Sequence, residues 1–147
     1  MKGYISIMTK LSKDFEQWEF ACGCGCGYDD IDPKVVDKLQ SFRDLVGKPV
    51  VVTSGCRCKM YNLHIGGVDN SPHLLGLAAD IQVSGMTPVT LGILASRIHY
   101  IRIGIYDKHL HIDIKPPNPS KYWLVKNGKY IYSKKQKDLS KFLKNNL

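Results

Sequence analysis

The chain has 147 residues, 44% of them hydrophobic and 23% charged, with a formal net charge of +8. That length suits one domain able to bury its own core. No apolar run approaches the roughly 20 residues of a membrane helix, and Met1 to Lys10 hold no apolar stretch of signal-peptide length. Residues 121–147 carry eight lysines and one acid, Asp138, whereas residues 1–120 are nearly balanced. The expected organisation is therefore a domain over 1–120 with a basic C-terminal hairpin and helix, 121–147, packed on it or appended to it. Such a basic end attracts anionic polymers through a salt-sensitive pull; it equally suits a solvated, solubilising helix.

In chain order, Ser12–Phe20 predicts a short helix capped by Ser12 and anchored by Phe15, Trp18 and Phe20. Asp32-Pro33 predicts a helix start, with Val35, Val36, Leu39, Phe42 and Leu45 at helical spacing and Gly47 as the stop. Pro49–Ser54 is β-branched and predicts a buried strand. A helix is expected over Lys59–His64, closing at Gly66-Gly67, then an irregular loop over Val68–Leu77. Ala78–Val83 predicts a strand, and Thr87-Pro88 opens a helix to about Arg97. Ile101–Tyr106 and His109–Ile114 predict strands joined by a turn at Asp107-Lys108. In the second, His109, His111 and Asp113 face one side and Leu110, Ile112 and Ile114 the other. Asn127-Gly128 signals a hairpin between Tyr122–Val125 and Tyr130–Tyr132, and a lysine-rich helix ends the chain. The order gives an α+β fold, a small antiparallel or mixed sheet with helices on one face.

Five cysteines, Cys22, Cys24, Cys26, Cys56 and Cys58, cannot pair completely within one chain. The Cys22-Gly23-Cys24-Gly25-Cys26-Gly27 spacing is tighter than that of common structural zinc sites. Disulfides, a second metal site and reduced thiols all fit the sequence.

Chemistry concentrates in two segments, Ser71–Asp80 and His109–Asp113. Asp80 sits between Ala78-Ala79 and Ile81, where an unpaired buried carboxylate is costly unless a cation accompanies it. Catalytic zinc takes three ligands from His, Asp or Glu and keeps a position for water. A loop imidazole, a carboxylate on a strand and an imidazole on a neighbouring strand supply such a set.

The run Ser71-x-His73-x-x-Gly76-x-Ala78-x-Asp80 resembles the S-x-H-x-x-G-x-A-x-D signature of the M15 peptidases at every fixed position. These are zinc D-Ala-D-Ala carboxypeptidases and related cell-wall endopeptidases, including phage endolysins. Ser54-Gly55-Cys56-Arg57-Cys58, with Asn62 and Gly66-Gly67, resembles the family's S-G-Y-R…N…G-G stretch, and His109–Asp113 its final ligand motif. The likeness runs from about Phe15 to Ile114. It implies the M15/hedgehog-like peptidase fold and Zn2+ held by His73, Asp80 and His111. It also implies that Arg57 binds a substrate carboxylate or the developing oxyanion.

Two positions depart from the family pattern. Cys56 stands where an aromatic is usual, and Lys108 where several relatives carry a general-base Glu. No Glu follows Glu19, so the base is expected to be His109, then Asp107 or Asp113, with Asp113 alternatively orienting a ligating imidazole. The resemblance implies a zinc-dependent peptidase cutting a peptidoglycan stem peptide, at D-Ala-D-Ala or L-Ala-D-Glu. The alternative is a catalytically weak or inactive zinc-containing cell-wall-binding module of the same fold. A monomer is expected, made in a host cytoplasm and released to the wall as a phage lysin, or resident in a bacterial cytoplasm. The basic end would meet anionic wall polymer. Nucleic acid and membrane are not expected partners, since nucleic-acid binding explains neither the His73/Asp80 pair nor the strand histidines.

Overall fold

The structure is a computed structural model that describes residues 9–117, 121–133 and 139–147. Its centre is a six-stranded mixed sheet. The strands are β1 (Val51–Ser54), β2 (Ala78–Gln82), β3 (Arg102–Ile105), β4 (Leu110–Asp113), β5 (Tyr122–Lys126) and β6 (Lys129–Tyr132), in the spatial order β1-β2-β4-β3-β5-β6. Every pairing is antiparallel except β3 with β5. The hairpin β5–β6 thus extends the same sheet, turning at Asn127-Gly128, both left-handed at φ 52° and 71°.

Alternation along the strands separates two faces. Ala79, Ile81, Ile103, Ile105, Leu110, Ile112 and Leu124 join one buried cluster with residues of the helices α1 (Pro33–Val46) and α3 (Pro88–Ala95). Each fully buried aliphatic or aromatic side chain in that cluster contributes about 1.5–3 kcal/mol. The helix α1 begins as expected: Asp32 accepts from the Lys34 N–H at 2.8 Å, Pro33 follows, and the Gly47 N–H closes the end on the Arg43 carbonyl at 2.9 Å. Val35, Val36, Leu39 and Phe42 face inward, while Leu45 stays at the exposed margin. The short α2 (Lys59–His64) follows β1, and the terminal α4 (Leu139–Asn146) buries Leu139 and Leu143 in the main cluster. Among the described residues no helix is long and apolar enough to cross a membrane.

Four local expectations are corrected. Ser12–Phe20 is not one helix; only Gln17–Phe20 forms a 3-10 turn. The N–H groups of Leu11 and Ser12 both reach forward to the Phe15 carbonyl, opposite to helical bonding, and the Ser12 hydroxyl goes to Gln40 instead of a cap. Phe15 and Phe20 are buried, but Trp18 is 63% exposed. The β1 strand is an edge, not a buried strand: among the described residues it pairs only with β2, and Val51 is 55% exposed, while Val50, just before it, is buried. The loop before β2 contains a further 3-10 turn, Pro72–Leu75, capped by the Ser71 hydroxyl on the His73 N–H. The α3 helix stops two residues short of Arg97.

Candidate metal centre

The face of the sheet opposite the core carries the polar residues in register. Asp80 on β2 pairs with Ser54 on one side and His111 on the other. His111 pairs with Gly104, Gly104 with Trp123, and Trp123 with Tyr132. One row of side chains therefore crosses the sheet from Ser54 to Tyr132. The 3-10 turn brings His73 onto this row at Asp80.

Three ligand atoms converge there. Asp80 Oδ1 lies 2.9 Å from His111 Nδ1 and 3.2 Å from His73 Nε2, and the two imidazole nitrogens are 3.3 Å apart. All three residues are buried. The opposite nitrogen of each ring is already committed. His73 Nδ1 donates to the Gly55 carbonyl at 2.7 Å, and His111 Nε2 donates to Asp113 Oδ2 at 2.7 Å. The Gly55 carbonyl can only accept, so His73 presents its unprotonated Nε2 to Asp80; His111 Nδ1 faces the same carboxylate and gives up its proton when a metal binds. Two imidazoles and a carboxylate form a donor set that fits zinc and leaves a coordination position over.

The electrostatics follow from burial and these bonds. Burial disfavours charge on His111, but its bonds to Asp113 and Asp80 outweigh that and raise the imidazole to about 9. Burial pushes His73 down. Asp80 stays well below the usual carboxylate range, because the His111 and His73 bonds overcome its burial.

A family model described as Peptidase M15 matches residues 13–114. The chain belongs to the M15 peptidase family. No curated protein matches it. In this M15 domain the triad sits at a cleft of about 680 Å3, lined also by Arg57, Tyr106, His109, Trp123, Tyr130 and Tyr132.

Of the other residues singled out in the sequence, Arg57 reaches the centre directly. Its Nη2 bonds Asp80 Oδ2 at 2.8 Å, its Nε bonds the Ser54 hydroxyl at 2.9 Å, and Nη1 lies 3.4 Å from Asn62 Oδ1. His109 lies in the cleft with Nε2 3.7 Å from Asp80 Oδ1, its ring stacked on Tyr106 at 4.4 Å. Burial lowers its pKa from 6.5. Asp107 and Lys108 are exposed in the turn before β4 and do not line the cleft. Asp113 is fully buried behind His111, away from Asp80, and three residues hold it through four hydrogen bonds. It accepts two bonds from Arg102 at 2.7 and 3.0 Å, one from His111, and one from the Lys115 N–H.

The residues that the sequence reading passed over are Arg102, Gly104 and the aromatic wall. Trp123 packs on His111 at 5.3 Å between ring centroids, and Arg102 lies over the indole at 5.4 Å. Gly104 makes this possible: a β-carbon there would meet the indole Cε2 at 2.5 Å. The available signal was alternation, since Arg102, Gly104 and Trp123 occupy the positions between core residues Ile103, Ile105, Tyr122 and Leu124.

Proposed function

We propose that this protein is a zinc-dependent peptidoglycan peptidase that hydrolyses a stem-peptide bond, at D-Ala-D-Ala or L-Ala-D-Glu. The observation that carries it is the convergence of His73 Nε2, Asp80 Oδ1 and His111 Nδ1 at the head of a cleft that also holds Arg57 and His109. These three side chains would hold a zinc ion, which when bound would supply Lewis acidity to a peptide carbonyl and make hydroxide available near neutral pH.

The chain's own residues divide the remaining work. His109, kept below its ordinary pKa by burial, carries a free lone pair at neutral pH. It takes the proton of the attacking water and returns it to the leaving amine. Arg57 is tied to Asp80, Ser54 and Asn62, so its planar fork is held in place, and its remaining N–H groups serve a substrate carboxylate or the oxyanion. Asp113, gripped by Arg102, holds His111 in the ligating tautomer rather than touching substrate. Tyr130 and Tyr132 extend the floor of the cleft along the hairpin, and Lys115 and Lys121 add positive charge at its rim. That lining suits a short peptide bearing carboxylates.

A second reading is favoured by one observation. Asp80 and Asp113, the carboxylates at the centre, are both fully engaged, and the position of the family's glutamate is held by the exposed Lys108. A wall-binding module with little turnover has this composition. Fragment mass spectrometry of purified peptidoglycan incubated with wild type and with His111→Ala separates the two. New amines with the wild type alone support the peptidase and name the bond. Zinc bound and walls retained without new amines would replace it by the binding module.

A further inference from the structure

Four of the five cysteines meet in space. The sulfurs of Cys22, Cys24, Cys26 and Cys58 all lie within 4.8 Å of one another, with Cys22 to Cys24 at 3.5 Å and Cys24 to Cys58 at 3.7 Å. Four thiolates about 2.3 Å from a central zinc on a tetrahedron stand about 3.8 Å apart. A disulfide would need about 2.05 Å. The fifth thiol, Cys56, stands outside the group, buried and pushed up to about 12 by burial and by Asp29 and Asp30. The odd count thus resolves into four plus one.

The local backbone explains the convergence. The loop closes on itself through Cys22 N–H to the Tyr28 carbonyl at 2.7 Å and Gly25 N–H to the Cys22 carbonyl at 3.1 Å. Gly25 and Gly27 adopt φ +78° and +90°, turns that a side chain would strain. Backbone donors also point at sulfur: Cys58 N–H at Cys22 Sγ and Tyr61 N–H at Cys58 Sγ, both 3.4 Å.

We propose that Cys22, Cys24, Cys26 and Cys58 form a closed tetrahedral site for one structural zinc ion, separate from the His73–Asp80–His111 centre. All four positions are protein sulfur, the arrangement of a structural rather than a catalytic site. Each thiol gives up its proton on binding. The ion pins the Cys22–Gly27 loop to Cys58, one residue from Arg57. The same segment supplies the Gly55 carbonyl that orients His73, and its Cys56 N–H bonds the Phe20 carbonyl at 2.9 Å. The clip therefore sets the position of two groups at the other centre.

The test is metal content and cobalt spectroscopy on the full chain purified under reducing conditions. Wild type should hold two zinc ions, and His73→Ala with His111→Ala should hold one. Cobalt-substituted wild type should show thiolate-to-cobalt charge-transfer absorption, which the histidine double variant keeps and Cys24→Ser with Cys26→Ser loses. The wild-type spectrum needs no substitution, so a misfolded variant does not rescue the proposal. Absence of thiolate bands in wild type, an intact mass showing two disulfides, or iron in place of zinc would overturn it. One zinc with thiolate bands would uphold this site and count against the histidine centre instead.

Discussion

The two faces of the central sheet are built from alternate residues of the same strands and do opposite things. On one face Ala79, Ile81, Leu110 and Ile112 pack into the core; on the other Asp80 and His111 meet at the candidate metal centre, with Asp113 bonded to the far nitrogen of His111. A one-residue slip in β4 would exchange the two sets, so the hydrophobic face holds the register that the site depends on. Stability and chemistry are therefore tied in geometry yet separable by substitution.

The sharpest break comes at the ligands. His111→Ala should remove metal from the histidine centre and abolish turnover, while the core cluster behind it keeps the fold; metal analysis with circular dichroism checks both. His109→Ala should retain the metal and lose about a hundred- to ten-thousand-fold in kcat. The wild-type profile sharpens that assignment. His109 protonates only below 6.5, so kcat should fall as pH drops through a point under that value, and the acid limb should vanish in the variant. Asp113→Asn keeps the shape but weakens the hold on His111, and should cost about 10–100-fold in metal affinity by competition with a chelator. On the opposite face, Ile112→Ala should cost about 2–5 kcal/mol in denaturant unfolding and leave kcat of the folded fraction unchanged. Tyr132→Ala, at the exposed end of the row, should raise KM about 2- to 13-fold, about 0.5–1.5 kcal/mol, with kcat intact.

The comparison also shows what a sequence makes legible. The period-two alternation of His109–Ile114 placed His111 and Asp113 on one side, and Asp32-Pro33 to Gly47 marked α1 at both ends, because those signals are local. The run to Asp80 was legible through its likeness to the M15 signature, which the family match supports. What escaped was set by pairing between distant strands. Gly104 reads as a weak strand residue until β5 arrives beside it with Trp123, and Arg102 gains meaning only opposite Asp113. The β1 run looked buried because its residues are β-branched, yet its place at the sheet edge leaves Val51 in solvent. The cysteine run left a second metal site, disulfides and reduced thiols all open, because the fourth sulfur of the cluster comes from Cys58, more than thirty residues on.

The most direct test of the central claim is peptide-bond cleavage by chelator-stripped protein titrated with zinc. Peptidoglycan stem peptides should stay intact without metal, cleavage should recover on adding zinc to wild type, and His111→Ala should not recover at any zinc level. Full activity in stripped protein, or equal recovery by His111→Ala, would contradict it.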